Sequence, residues 1–192
     1  MQNLNIELHP LQPFLPKGSQ LLMLGSFPPP LKRWSMNFFY PNIQNDMWRI
    51  FGWIFFNDKQ YFYDESNKCF RQQQLESFLS TKGIALYDTA TSIRRLKGNA
   101  ADEFLEIVER TDIRSLLKEI PQCHAIASTG GKSAGEVCDY FQITTPKVGQ
   151  CITIPNSNIR FYRMPSSSRS YPLALEKKAE YYHNLFKAES LL

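Results

Sequence analysis

Short runs of apolar residues alternate along this chain with longer segments in which apolar residues recur every three or four positions. Three of the runs, at 20–25, 84–88 and 124–128, are almost wholly apolar and end at a small or polar residue. Such runs predict strands that are buried on both faces, as in a parallel sheet. Two further short strands are predicted at 152–154 and 160–164.

The amphipathic segments between these strands predict helices. The first has Asn45 or Asp46 as its cap and carries an apolar face of Met47, Trp48, Ile50, Phe51 and Ile54. Others are predicted at 71–81, after a cap at Asp112, from Gly131 to Phe141, and at 172–185 with Pro172 in or near the first turn. Because strands alternate with helices, the sequence predicts an α/β fold with a mainly parallel central sheet.

The remaining segments are predicted to be irregular. Residues 1–18 are polar and proline-marked and are expected to form an N-terminal arm, 57–69 a tyrosine-rich connection, and 91–101 a basic, glycine-containing loop. The pattern of 102–111 fits a helix or a strand equally. Ligands of α/β folds bind beyond the carboxyl ends of the strands, so the candidate loops are 25–45, 88–99, 129–133 and 165–171.

The composition fits one domain spanning residues 1–192. The 22 Lys and Arg residues exceed the 18 Asp and Glu residues, a net charge of +4 that permits an anionic partner without requiring one. No apolar run approaches 18 residues and no basic, apolar leader precedes the first strand, so neither a membrane span nor a signal peptide is expected. Four cysteines without close pairing favour a reduced, cytoplasmic chain.

Several common catalytic motifs are absent from the sequence. It contains no GxGxxG and no CxxC or HxxxH pair, and the segment 129–133 lacks the first glycine of a phosphate loop. The three histidines, His9, His124 and His183, lie far apart in sequence. We therefore expect an enzyme of this kind to work without metal or histidine.

Three strand-end segments carry an unusual combination of residues. They are Gly-Ser-Phe-Pro at 25–28, followed by the aromatic stretch 38–48; Tyr87-Asp88; and Met-Pro-Ser-Ser-Ser at 164–168. In this order they resemble the uracil-DNA glycosylase superfamily, most closely its hypoxanthine/uracil branch, the DNA-deoxyinosine glycosylases. The resemblance extends from about residue 20 to 186. The sequence departs from that branch at Asn42-Ile43, where a His-Pro pair is usual, and at Arg169, where proline is usual.

The resemblance implies a three-layer α/β/α sandwich and a monofunctional DNA glycosylase acting in base excision repair. Asn45 corresponds to the branch's catalytic asparagine, which holds the attacking water, and Tyr40 to the aromatic on which the flipped base stacks. The base-binding set would be Gly25, Ser26, Phe27, Tyr40 and Asp88, with backbone N–H groups of Ser26 and Phe27 stabilising charge on the leaving base. The DNA-binding set would be Pro165, Ser166, Ser167, Ser168 and Arg169.

Asp88 has a chemical rationale of its own. An ionised carboxylate only accepts hydrogen bonds, and uracil and hypoxanthine carry a ring N–H that cytosine and adenine lack. Thymine shares that N–H and would have to be excluded by shape. Each residue also has a structural alternative: Asn45 as a helix cap, Tyr40 as core packing, Asp88 as a turn cap, and the serine loop as a solvated turn.

The implied partner is DNA that contains a deaminated base, bound by a monomer without cofactor or metal. Arg169 could contact phosphates or wedge into the gap left by the flipped base. Further cations on the candidate loops suit contact with the DNA backbone: Lys32, Arg33, Arg94, Arg95 and Lys97. Two alternatives stay open, a catalytically altered nucleic-acid-binding module of the same fold and an enzyme acting on free nucleosides.

Overall fold

A computed structural model describes residues 5–97 and 104–192. The strands in chain order are β1 (Ile6–Leu8), β2 (Leu21–Gly25), β3 (Tyr63–Asp64), β4 (Cys69–Phe70), β5 (Ile84–Asp88), β6 (Ala90–Arg95), β7 (Leu105–Arg110), β8 (Ala125–Ser128), β9 (Cys151–Thr153) and β10 (Arg160–Arg163). The α-helices are α1 (Met47–Phe56), α2 (Gln72–Lys82), α3 (Ile113–Glu119), α4 (Gly131–Phe141) and α5 (Leu175–Ala188). A 3-10 turn spans Leu31–Arg33.

The central sheet has five strands in the order β5-β2-β8-β10-β9. The first four are mutually parallel, and β9 pairs antiparallel at the edge. Strands β2, β5 and β8 are buried along their whole length, because the sheet is covered on both faces where they lie. The predicted α/β class with a mainly parallel sheet is confirmed.

The register of the sheet aligns the carboxyl ends of its strands. Gly25 pairs with Asp88, and Leu24 and Arg163 both pair with Ser128. The loops that follow these strands therefore leave the sheet side by side, which positions the site described below.

The prediction of a basic loop at 91–101 is wrong for residues 91–95. Residues 90–95 form β6, the middle strand of a second, antiparallel sheet with the order β1-β6-β7. The two arginines that favoured a loop are accommodated because acids on the neighbouring strands pair with them: Arg94 with Glu106 and Arg95 with Glu7. Residues 98–101 lie outside the described part of the chain.

Other boundaries also differ from the expectations. The N-terminal arm supplies β1 and an antiparallel bridge from Phe14 to Leu86, which covers the free edge of β5. The ambiguous segment 102–111 forms β7 from Leu105 onward, and the connection 57–69 contains the β3–β4 hairpin. The closing helix begins at Leu175, three residues after Pro172. Within residues 5–97 and 104–192, no helix has both the length and the apolar character needed to cross a membrane.

Candidate active site

An open cleft of about 630 Å³ lies at the carboxyl edge of the central sheet. All four candidate loops contribute to its lining, through residues 25–29, 39–42, 44–45, 129 and 166–172 together with Asp88. Three of these segments directly follow β2, β5 and β8, whose ends the sheet register aligns. The cleft thus collects short segments that are far apart in sequence, as expected for the switch region of a parallel sheet.

Asp88 forms part of the cleft and is only 6% exposed. Its Oδ2 lies 2.9 Å from Nε2 of His9. Its Oδ1 lies against Gly25, so closely that a Cβ at that glycine would be 2.2 Å away. Gly25, Tyr40 and Asp88 all line the cleft, so Oδ1 lies beside two other residues of the lining.

His9 is the residue of this site that the sequence did not indicate. It follows β1, and its backbone N–H donates to the Thr91 carbonyl oxygen at 2.8 Å. Its ring, with only 2% of the side chain exposed, packs 5.2 Å from the Phe27 ring and 4.7 Å from the Tyr87 ring. His9 is not part of the cleft lining itself, and the expectation that an enzyme of this kind works without histidine stays a prediction. The nearest sequence signal is the brief alternation of Ile6-Glu7-Leu8, which is typical of an edge strand and says nothing of His9.

Neighbouring residues respond to the charge of Asp88 and hold its backbone in place. Burial, followed by the charge of Asp88, raises the pKa of the Tyr87 hydroxyl above its ordinary value. The Thr111 hydroxyl donates to the Asp88 carbonyl oxygen at 2.7 Å, and the Thr89 N–H donates to the Gly25 carbonyl oxygen at 2.9 Å. The expected turn-capping role of the Asp88 carboxylate gives way to a hydrogen bond with a side chain from a distant strand.

Tyr40 forms one wall of the cleft and has an unusual backbone conformation. Its φ is +50°, in the left-handed region that aromatic residues rarely adopt. Its hydroxyl lies 2.9 Å from the Thr129 hydroxyl, and its ring packs edge-on to Trp48 at 5.7 Å. The indole N–H of Trp48 donates to the Phe39 carbonyl oxygen at 3.0 Å. Tyr40 thus both packs on the core and lines the cleft, held in place from two sides.

Asn45 lies where the aromatic loop meets the serine loop. Its Oδ1 accepts the Met47 N–H at 2.9 Å and so forms a turn that leads into α1, although the N-cap position itself is occupied by Asp46. Asn45 also forms an isolated antiparallel bridge with Ser168, and the Asp46 N–H donates to the Ser167 carbonyl oxygen at 2.9 Å. These contacts hold the backbone at 45–46 next to the serine loop at 167–168.

Three cations surround one buried acid behind this junction. Asp46 accepts from Arg169 Nε at 2.9 Å and from Lys178 Nζ at 3.1 Å, and Lys178 also donates to the Ser168 carbonyl oxygen at 2.7 Å. Arg49 donates to the Ile43 carbonyl oxygen at 2.7 Å. Burial, followed by the charge of Arg169, lowers the pKa of Arg49. Positive charge therefore exceeds negative charge beside the serine loop.

Four of the residues expected to contact DNA have other partners in the structure. Arg95 is buried, with bonds to Glu7 and to the Pro28 carbonyl oxygen at 3.2 Å, so it braces the first loop instead of facing a ligand. Pro165 is buried, and its carbonyl oxygen accepts the Tyr182 hydroxyl at 3.0 Å. Arg94 pairs with Glu106, and Lys97 lies over the Phe104 ring at 3.7 Å. The exposed Arg33 does line the cleft.

The cleft brings together nearly all of the residues singled out from the sequence. Its lining includes Gly25, Ser26, Phe27, Tyr40, Asn45, Asp88, Ser166, Ser167, Ser168 and Arg169. Pro165 is not part of it. In the part of the chain that the structure describes, no group of three or more His, Cys, Asp or Glu residues is arranged to hold a metal ion.

Comparison with known proteins gives a likeness in fold. No protein-family model and no curated protein matches the sequence. Among solved structures, a solution NMR structure from Methanosarcina acetivorans, described as a "putative Uracil DNA glycosylase", is similar with a TM-score of 0.63. The two chains are 18% identical, and the match covers 97% of this chain and 99% of that one. At this identity the likeness shows that the two chains share a fold.

Proposed function

We propose that this protein is a monofunctional DNA glycosylase that removes a deaminated base, uracil or hypoxanthine, from DNA. One observation carries the proposal: a buried carboxylate, Asp88, in an open cleft where Tyr40, Asn45 and the serine loop meet. The fold likeness to a protein described as a uracil DNA glycosylase supports it. An extruded base must be recognised, stacked and separated from its sugar at one place, and this cleft offers a group for each task.

Base recognition would rest on Asp88. Its Oδ2 is engaged by His9, which leaves Oδ1, beside Gly25, to accept a ring N–H. Uracil and hypoxanthine offer that N–H next to a carbonyl, whereas cytosine and adenine present a bare ring nitrogen that a carboxylate repels. Tyr40 would supply the stacking surface, since its fixed backbone and its bond to Thr129 leave the ring little freedom to move.

Bond cleavage would need a water molecule below the sugar. The Asn45 amide oxygen already accepts the Met47 N–H, and its second lone pair can accept from water. As the glycosidic bond breaks, its electron pair leaves with the base and C1′ becomes oxocarbenium-like. The oriented water then bonds to C1′ and releases a proton, giving an abasic site and the free base. No lysine takes this position, so a lyase step is not part of the proposal.

DNA binding would use the rim of the cleft. Hydroxyls of Ser166 and Ser168 and the half-exposed guanidinium of Arg169 lie on one side, and Arg33 lies on the lining as well. Because Asp46 neutralises only one of the three cations behind the serine loop, the local field favours a phosphate. The bond between Arg169 and Asp46 favours a phosphate contact over insertion of Arg169 into the base stack.

The test is cleavage of labelled oligonucleotides that contain one uracil or one hypoxanthine, followed by alkali. We expect alkali-dependent strand breaks with the wild type, and a loss on the order of 100-fold in Asn45→Ala and Asp88→Ala. Asn45→Ser is the matched control, because its hydroxyl can still accept the Met47 N–H while it is too short to reach the water. If Asn45→Ser keeps full activity, the water-positioning role is wrong.

One observation favours a second candidate, a nucleic-acid-binding module without catalysis. The Asn45 side chain already has a structural role, because its amide oxygen forms the turn that leads into α1. That candidate predicts binding of both oligonucleotides with no cleavage of either. Turnover of free deoxyuridine or deoxyinosine without DNA would instead indicate a nucleoside-hydrolysing enzyme.

The remaining expectations belong to the same proposal. They are one domain over residues 1–192, helices on both faces of the sheet, a monomer that needs no cofactor, a cytoplasmic location, and membership of the hypoxanthine/uracil branch. The ratio of uracil to hypoxanthine cleavage in the oligonucleotide assay tests the last of these directly.

A further inference from the structure

The N-terminal arm delivers a buried imidazole to Asp88, an acid in the lining of the cleft. His9 Nε2 lies 2.9 Å from Asp88 Oδ2, and the two residues are 79 positions apart in sequence. The ring is enclosed by Phe27, Phe39 and Tyr87, so neither it nor its bond to Asp88 is open to solvent. An aromatic core residue would fill this space equally well. The presence of a hydrogen-bonding ring there calls for a chemical reason.

The two contacts of the His9 ring together determine which nitrogen carries hydrogen. Nδ1 lies 3.1 Å from the Leu11 backbone nitrogen and 2.9 Å from the Leu11 carbonyl oxygen, so on that side the ring can either accept or donate. Nε2 faces Oδ2 of Asp88, and an ionised carboxylate only accepts hydrogen bonds. Nε2 therefore carries the hydrogen donated to an ionised Asp88, and in a neutral ring Nδ1 accepts the Leu11 N–H.

The His9 donor restricts the Asp88 carboxylate to one orientation. The His9 N–H holds Oδ2, and glycine is the only residue type at position 25 that leaves space for Oδ1 at its observed position. Without the His9 donor, Oδ2 would be a buried, unpaired anionic oxygen, and the carboxylate would turn to find another partner. That rotation alters the acceptor that the cleft presents to a base.

We propose that His9 is a positioning residue for base selection, which fixes Asp88 so that its Oδ1 accepts the ring N–H of the extruded base. The proposal rests on the proposed function for the identity of the ligand. This role differs from a purely structural one in its effect on binding. A structural role of His9 would strengthen the binding of every ligand equally, whereas a positioning residue strengthens binding only when the ligand carries the N–H.

The experiment measures binding, so that it does not depend on turnover. Oligonucleotides carry one 2′-fluoro-2′-deoxyuridine, whose fluorine opposes cleavage, or its N3-methyl derivative, which lacks the N–H. Dissociation constants are measured by fluorescence anisotropy for the wild type, His9→Phe and His9→Gln. His9→Phe keeps the ring but removes the donor, and His9→Gln restores an N–H donor.

We expect the wild type to prefer the N–H ligand by about 30-fold, the effect of one hydrogen bond to a charged group. His9→Phe should prefer it by less than about 5-fold, and His9→Gln should recover much of the preference. An unchanged preference in His9→Phe overturns the proposal, as does a wild type that binds both ligands equally or neither. Absence of cleavage with the selectivity pattern intact would refute the glycosylase function alone.

A second measurement protects the test against a variant that fails to fold. In wild-type protein with ¹⁵N-labelled histidine, the buried Nε2–H of His9 should give a slowly exchanging NMR signal. Its shift should change when the N–H ligand binds and stay near its free position with the N3-methyl ligand. Equal changes with both ligands would overturn the proposal.

Discussion

Replacing Gly25 by alanine tests the arrangement of the cleft most directly. The new Cβ would lie 2.2 Å from Asp88 Oδ1, whereas ordinary contacts begin at 3.4 Å. The carboxylate must therefore move by about 1 Å, which stretches its 2.9 Å bond to His9 beyond hydrogen-bonding range. The Gly25 backbone is not left-handed, so conformational strain adds nothing to this effect.

The cost follows from the bond that is lost. A hydrogen bond to a charged group contributes about 1.5–3 kcal/mol, and Asp88 is too buried for water to replace it fully. We expect Gly25→Ala to lower the free energy of unfolding by about 2 kcal/mol, read from urea denaturation. Cleavage of a uracil- or hypoxanthine-containing oligonucleotide should fall on the order of 10- to 100-fold, since 1.4 kcal/mol corresponds to a factor of ten.

Gly135→Ala provides the matched control. Gly135 lies within α4, and no atom lies within 4 Å of the Cβ that alanine would add. Because alanine favours a helix interior over glycine, this variant should be more stable by about 0.5–1 kcal/mol and fully active. A Gly25→Ala variant with wild-type stability and wild-type cleavage would refute the reasoning, since it would mean that the Asp88 carboxylate can move freely.

Three further predictions concern other parts of the molecule. Lys178→Met should lower the free energy of unfolding by about 3 kcal/mol in urea denaturation, because it leaves buried Asp46 with a single partner. Adding Asp46→Asn should recover part of that loss. If the effects of the two substitutions on the free energy of unfolding simply add, the pairing is contradicted. Hydrogen bonds, the largest from Ser115, lower the pKa of Asp112 to about 2, so its contribution is present above the unfolded pKa near 4 and is lost as pH falls toward 2. The stability difference between Asp112→Ala and wild type should therefore narrow across that window, and a constant difference would be inconsistent with the pKa shift. Burial raises the pKa of Cys123 to about 11, so iodoacetamide at pH 8 should label exposed Cys151 and leave Cys123 intact until the protein unfolds, as peptide mass spectrometry would show.

The strands of the central sheet and the loops beyond them could be predicted because a strand that is buried on both faces consists of apolar residues. Strands β2, β5 and β8 are covered on both faces, and each is therefore an unbroken apolar run in the sequence. Parallel strands present their carboxyl ends at one edge, so the residues after Gly25, Asp88 and Ser128 had to lie close together. That reasoning alone anticipated most of the cleft lining.

The strand β6 was missed because its charges are neutralised by other strands. Arg95 looks like a surface residue in the sequence, but Glu7 and the Pro28 carbonyl oxygen satisfy its guanidinium and allow its burial. The residues next to Arg95 in the sequence show its charge, but they do not show which distant groups pair with it. The same limitation applies to Lys178, which is 1% exposed and bonded to Asp46, 132 residues away.

What the sequence determined by itself was the strands of the central sheet and the chemistry at their ends, since each depends on residues a few positions apart. What only the tertiary structure decided was which distant side chains complete that chemistry. His9 reaches Asp88 because β1 pairs with β6, which follows β5 after a single residue. Pairing between strands depends on the path of the whole chain, and nothing in the nine residues up to His9 specifies that path.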